Sequence, residues 1–242
     1  MEKPNPLYLR RVLENLRDLG WTPGAIIDIG VEAGTVDLYA VWPDAQICLI
    51  EPSERAMVHM RQIAEQFPHV QIFNVGASNF NGEIVGRQPD GLINVYFGRG
   101  KGFPERTFPM RRCDDIVAEA MLEPPFLYKL DTDSHEREIL EGSGDTLDRA
   151  EVCVIESNVF HKLRGCLTPF ELWSLMDAKG FAFVDVSDGS FGEKGVMRAV
   201  DFVFVRESSP LYRSIYDNSG KSAAKLAKRV RQHSQPVGGG VA

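Results

Sequence analysis

Ala25-Ile26-Ile27-Asp28-Ile29-Gly30-Val31-Glu32-Ala33-Gly34 decides the fold. Ala25 to Ile29 is a short apolar run closed by a glycine, which reads as a buried strand that turns sharply at its carboxyl end. Glycines at 30 and 34 let the backbone bend and approach a ligand with no Cβ in the way. The segment departs from the dinucleotide pattern G-x-G-x-x-G, because Asp28 occupies the first glycine position. A carboxylate there repels a pyrophosphate and suits a cationic group. Taken alone, the spacing also fits a tight strand-to-helix turn that holds no ligand.

Working outward, a helix runs from near Gly34 to before Pro43, and Gln46 to Ile50 forms a second apolar strand closing on Glu51-Pro52. Ser53 is placed to cap a helix reaching about Phe67, and Val70 to Val75 reads as a third strand. Upstream, Leu9, Val12, Leu13, Leu16 and Leu19 lie at helical spacing, with Gly20 as the stop. This alternation predicts an α/β fold with a parallel sheet covered on both faces. Glu51 ends the second strand where doubly wound folds present an acid to ribose hydroxyls, so bend and acid together point to a nucleoside-containing cofactor.

Residues 76–112 break the rhythm, with many glycines and one obvious short strand, Asn94 to Phe97. They read as a lid or a small antiparallel insertion. Tyr96, Phe97, Arg99, Lys101 and Phe103 either cover an acceptor or pack this insertion on the sheet. Regularity returns with a helix over 114–122 and a strand from Phe126 to Leu130 that ends at Asp131. A helix near His135 to Gly142 and a strand from Val152 to Ile155, ending at Glu156, follow. Thr168-Pro169-Phe170-Glu171 is a capping box that opens a helix to Lys179. Phe181 to Val186 and Val200 to Val205 are joined by a glycine-rich loop, which makes them a hairpin with an antiparallel final strand.

At this point the sequence resembles a known family. Asp28-x-Gly30-x-x-x-Gly34, Glu51-Pro52, Gly76-Ala77-Ser78 and the block from Lys129-Leu130-Asp131-Thr132-Asp133-Ser134-His135 to Glu141-Gly142 resemble the FkbM family of S-adenosylmethionine-dependent methyltransferases. Ser134 stands where that family's pattern has glycine. The resemblance implies a Rossmann-like, seven-stranded, mostly parallel sheet in the order 3-2-1-4-5-7-6, with the last strand antiparallel and helices on both faces. It implies S-adenosylmethionine as cofactor: Gly30 and Gly34 beside the methionine part, Asp28 toward its amino group, Glu51 on the ribose, Ala77 and Ser78 at the adenine. It also implies methyl transfer to a hydroxyl oxygen of a glycan or secondary metabolite.

Transfer to a hydroxyl requires an aligned acceptor, removal of its proton and exclusion of water. Asp131, Asp133, His135 and Glu136 place four ionisable groups within six residues. Asp131 falls beside the reacting methyl. His135 is a candidate general base and His161 a second, because an imidazole accepts a proton near neutral pH. Glu136 fits as a helix-start charge. Asp133, Glu156 and Asn158 are candidate acceptor-pocket residues. Asp131, Asp133, Glu156 and Asn158 also form an oxygen-donor set compatible with Mg²⁺ or Ca²⁺, but too loose to require a metal.

Composition sets the outer limits. The 242 residues are 43% hydrophobic and 25% charged, which excludes a wholly disordered chain and fits one compact domain; the resemblance implies a methyltransferase domain over 1–207, its N-terminal helix within 1–24. Cys48, Cys113, Cys153 and Cys166 form no C-x-x-C pair, which argues against a zinc site or disulfide framework. Beyond 207, six basic residues against Asp217 make the tail +5, leaving −12 on 1–207. An acidic body disfavours a nucleic-acid partner. The tail (208–242) reads as partly disordered, with a short basic helix over 221–232. No run is long and apolar enough for stable membrane insertion, and Arg10, Arg11, Glu14, Arg17 and Asp18 interrupt any signal-peptide core, so a cytoplasmic location is expected. Oligomeric state stays open. The rival readings are a nicotinamide-dependent oxidoreductase and a cofactor-binding module without turnover.

Overall fold

A seven-stranded sheet organises the molecule, and its chain path follows the alternation read from the sequence. The computed structural model describes residues 8–97, 102–132, 134–159 and 166–217. The first part runs α1 (Leu9–Asp18), β1 (Ala25–Ile29), α2 (Val36–Ala40), β2 (Gln46–Ile50), a 3-10 turn (Glu54–Ala56), α3 (Met57–Gln66) and β3 (Val70–Phe73). The chain then leaves the sheet for β4 (Gly76–Ser78), β5 (Gly82–Arg87), β6 (Tyr96–Phe97) and β7 (Glu105–Arg112), and returns through α4 (Cys113–Glu119). It closes with β8 (Phe126–Leu130), α5 (Glu136–Glu141), α6 (Gly144–Arg149), β9 (Ala150–Asn158), α7 (Pro169–Ala178), β10 (Phe181–Phe191) and β11 (Met197–Arg206). Residues 210–217 are helical.

The main sheet has the order β3-β2-β1-β8-β9-β11-β10, with β11 antiparallel to both neighbours and the rest parallel. Numbered within this sheet alone, that order is 3-2-1-4-5-7-6. Its central strands β1 and β8 are apolar runs interrupted at Asp28 and Lys129, and helices cover both faces. On one face, β1, β2 and β8 pack against α4, α5, α6 and α7 through Ile116, Ile139, Leu147 and Leu172. On the other, α1, α2 and α3 bury Leu9, Leu13, Leu38, Tyr39 and Met60. Among the described residues no helix is long and apolar enough to cross a membrane.

Several local expectations change. The third strand stops at Phe73 rather than Val75, because the chain turns there into β4 of a second sheet. Residues 76–112 carry four strands, not one, in the order β4-β7-β5-β6. Pro109 argues against a strand in sequence, yet β7 accommodates it. It pairs with Glu83 on β5 and precedes Met110, where pairing with β4 begins, so it has no strand partner on that side. Ser53 makes no helix cap; its hydroxyl instead accepts from Gln88 Nε2 at 2.7 Å, and the helix starts as a 3-10 turn. The sequence shows no sign of α6, because Asp114 caps it from 32 residues away, accepting from both Thr146 N (2.8 Å) and Thr146 Oγ1 (2.7 Å). The capping box at Thr168 and Glu171 forms as read, with Glu171 Oε2 accepting from Thr168 N at 3.0 Å. Both hairpin strands extend beyond their expected ends, to Phe191 and back from Met197.

Candidate active site

Strands β1, β2, β8 and β9 run parallel, so their carboxyl ends open together at one edge, where α/β sheets hold ligands. A cavity of about 260 Å³ lies there. Gly30, Glu32, Glu51 and Pro52 form one side, and Asp131, Thr132 and Glu156 another. The insertion sheet closes it with Ile93, Asn94, Val95 and Phe97.

The bend at Gly30 is sterically obligatory. Its φ is +84°, and a Cβ there would lie 1.8 Å from the Asp131 carbonyl oxygen. The β1 and β8 ends thus approach more closely than any side chain allows. Gly34 (φ +101°) faces a similar limit, since its Cβ would press to 2.7 Å on Ile63 Cδ1.

Four acidic side chains, Glu32, Glu51, Asp131 and Glu156, line the cavity, and among the described residues no basic side chain does. Glu51 is held in place by Ser53 N (2.8 Å) and, more weakly, by Glu32 N (3.4 Å). Burial still pushes its carboxyl up to about 7. Burial also lifts Glu156 to about 8, with repulsion from Asp131 and Asp201 adding to the effect. The Asp201 carboxyl, opposite Glu156 on β11, is raised to about 7 by burial.

One cation answers this row from below. Lys129 is buried, and its Nζ donates to Asp131 Oδ2 at 2.8 Å. Burial disfavours its ammonium, but Asp131, Asp201 and Asp28 more than offset that and hold it above the usual lysine value. A buried charge persists only with such partners.

The structure divides the residues singled out in the sequence. Gly30, Glu51, Asp131 and Glu156 meet at the cavity. Asp28 does not line it; it is fully buried, accepts a hydrogen bond from the Tyr39 hydroxyl, and is raised to about 6 by burial. Gly34 and Asn158 lie off the cavity wall. Ala77 and Ser78 sit on β4, buried, and also do not line it. His135 is 6% exposed, with Nε2 3.0 Å from Ser78 Oγ and its ring 5.2 Å from that of Phe97. Burial lowers its pKa, against the pull of Glu138. Asp133, His161, Arg99, Lys101 and the basic tail beyond 217 lie outside the described residues. Among the described residues no group of three His, Cys, Asp or Glu is placed to hold a metal.

Sequence reasoning did not single out Glu32, Thr132 or Lys129 as site residues. Glu32 had one available signal, its position between the two bend glycines. Lys129 had none beyond being a lysine inside an apolar strand.

No family model matches the chain, and no curated protein matches it. Among solved structures, the chain is similar to the 1,6-didemethyltoxoflavin-N1-methyltransferase of Burkholderia thailandensis, with TM-score 0.47 and 12% identity over 81% of this chain and 76% of that one. It is similar to the N-methyltransferase NodS of Bradyrhizobium japonicum WM9, with TM-score 0.46 and 11% identity over 84% and 89%. A pre-rRNA processing fibrillarin of Methanococcus jannaschii gives TM-score 0.46 and 14% identity over 77% and 67%. All three scores lie below 0.5, too low to carry an argument about this chain.

Proposed function

We propose that this chain is an S-adenosylmethionine-dependent methyltransferase of the FkbM kind, acting on a hydroxyl oxygen of a glycan or secondary metabolite. The cavity's acidity carries the reading: four acidic side chains and, among the described residues, no lining cation, at the carboxyl ends of a doubly wound sheet, offer hydrogen-bond acceptors and negative potential that favour a cationic ligand. The same acidity disfavours the pyrophosphate of a nicotinamide dinucleotide, which finds acids and no cation among the described lining residues. S-adenosylmethionine suits these residues, being a cation with a ribose diol that a strand-end acid such as Glu51 accepts from.

When bound, that cofactor supplies an electrophilic methyl group. Gly30 would leave its side of the cavity free of a side chain, and Glu32 and Glu51 would hold the cofactor's charged and diol portions. The acceptor hydroxyl then sits between Asp131 and Glu156, whose strands are adjacent and in register at Leu130 and Ile155. Asp131 orients it, since its own charge is engaged by Lys129. Glu156, whose pKa of about 8 makes its ionised form a stronger base than an ordinary carboxylate, would take the proton. Phe97 and the insertion exclude water from that face. His135 is assigned a structural part, bridging α5 to β4, and not the proton transfer.

Titration calorimetry with S-adenosylhomocysteine and with NAD tests the cofactor. Binding of the first and not the second supports the reading, and the reverse sinks it. Methyl transfer to a panel of hydroxylated acceptors, lost on Glu156→Gln with cofactor affinity kept, tests the proton's path.

A further inference from the structure

We propose that Ser134 is a positioning residue: its hydroxyl seats residues 93–97 over the cavity and thereby sets how long a ligand stays. The ligand half of this statement rests on the function proposed above; the seating half does not.

Residues 93–97 span the cavity, contributing Ile93, Asn94, Val95 and Phe97 to its wall. Their near end is fastened by several bonds. Gln88 Nε2 donates to Ser53 Oγ (2.7 Å) and to Ile93 O (2.9 Å), and Arg55 Nη1 donates to Pro89 O (2.6 Å) and Leu92 O (2.8 Å). The far end is different. There β6 is two residues long, and its strand pairing among the described residues is with Gly86 and Arg87 of β5. To the turn between β8 and α5 it is joined by Ser134 Oγ, which donates to Phe97 O at 3.0 Å, and by the ring of Phe97 against that of His135 (5.2 Å).

Ser134 makes that bond from a conformation serine seldom adopts, φ +102°. Glycine would hold the turn without strain, but only a hydroxyl reaches the Phe97 carbonyl. The turn has its own support, since Ser134 N donates to Glu136 Oε1 (2.9 Å) and to Thr132 O (3.0 Å). Neither bond needs the side chain, so the hydroxyl can be removed without removing the turn. Strain kept at a position where the unstrained residue would fold as well points to a use for the side chain.

Hydrogen exchange on the ligand-free protein separates seating from general stability. Ser134→Gly and Ser134→Ala both remove the hydroxyl, and each is expected to speed exchange at the Tyr96 and Phe97 amides about tenfold while β8 amides keep their protection. A tenfold change is about 1.4 kcal/mol, the scale of one hydrogen bond. Only Ser134→Ala keeps the strained turn, so it alone should lower the melting temperature. Wild-type exchange at 96 and 97 in both variants overturns the proposal, as does a loss of protection spread evenly over β8. Stopped-flow release of S-adenosylhomocysteine supplies the ligand half, with several-fold faster release expected in both variants. Should the wild type take up no S-adenosylhomocysteine, the cofactor reading fails while the seating is still judged by exchange. Should it bind and the variants release at the wild-type rate, Ser134 does not govern residence and this proposal fails.

Discussion

The two sheets contribute opposite things to one cavity. Main-sheet strands β1 and β8 are buried at every position, and charge follows β8 (Asp131) and the nearly as buried β2 (Glu51). The insertion sheet is half exposed, with only Phe108 and Met110 of β7 buried, and it offers the cavity a mostly apolar wall. The first is held by packed aliphatic side chains. The second is packed into that core at β4, through Ala77, while its cavity-facing end is fastened by side-chain bonds from Arg55, Gln88 and Ser134. Packing over a large area fixes charged groups within a fraction of an ångström. A few hydrogen bonds leave the facing wall free to admit and release a ligand. The division assigns electrostatics to the rigid part and access to the loosely fastened one.

The harshest test of that division is Gly30→Ala. A Cβ 1.8 Å from the Asp131 carbonyl forces β1 and β8 apart, and we expect a loss of about 3 kcal/mol or more, or no folded protein at all, read by chemical denaturation. Next comes Glu51→Gln, expected to weaken S-adenosylhomocysteine about a hundredfold in calorimetry while raising the melting temperature at pH 8. The two effects have opposite signs because an acid kept for a ligand is a burden to the empty fold.

The pH dependence is gentler and follows from the same acids. Glu51 at about 7 and Glu156 at about 8 lie above the roughly 4.3 of an unfolded glutamate. The folded state therefore holds more protons than the unfolded one between those values, and stability falls as pH rises from about 4 to about 8. Thermal melts from pH 5 to 9 should show this decline, with a shallower slope in Glu51→Gln. Cofactor affinity should run the other way, rising about tenfold from pH 6 to 8 as Glu51 ionises. The smallest effect is on the insertion: Phe97→Ala is expected to cost only about 1 kcal/mol of global stability, because its ring meets Phe108 and His135 at a half-exposed margin. It should raise KM for the acceptor more than it lowers kcat. An equal loss in Phe97→Ala and Gly30→Ala would mean that the two sheets are not mechanically separate.

Legibility in the sequence followed the same boundary. β1, β2 and β8 carry the limits read from their apolar runs, because a strand buried on both faces admits few polar residues and ends where charge begins. The insertion was largely illegible. Glu105-Arg106-Thr107-Phe108-Pro109-Met110 alternates only weakly, and Pro109 masks a strand whose pairing tolerates it. At the site, Gly30, Glu51 and Asp131 stand out because each follows the last residue of a strand, and Glu156 because its apolar run ends there, although β9 itself continues to Asn158. His135 attracted notice by its chemistry, yet its ring is turned into the contact between α5 and β4, where Ser78 occupies it. No property of the local sequence distinguishes a histidine facing a cavity from one bonded to a strand 57 residues away.

The sequence alone determined the alternating α/β plan, the bend at Gly30 and the acidic strand ends, because burial periodicity and backbone sterics act between near neighbours. Tertiary structure decided which acids share one cavity, that Lys129 lies beneath them, and that a serine in a glycine's conformation fastens the opposite wall. Those outcomes depend on distances between segments far apart in the chain, and only the packed sheet sets them.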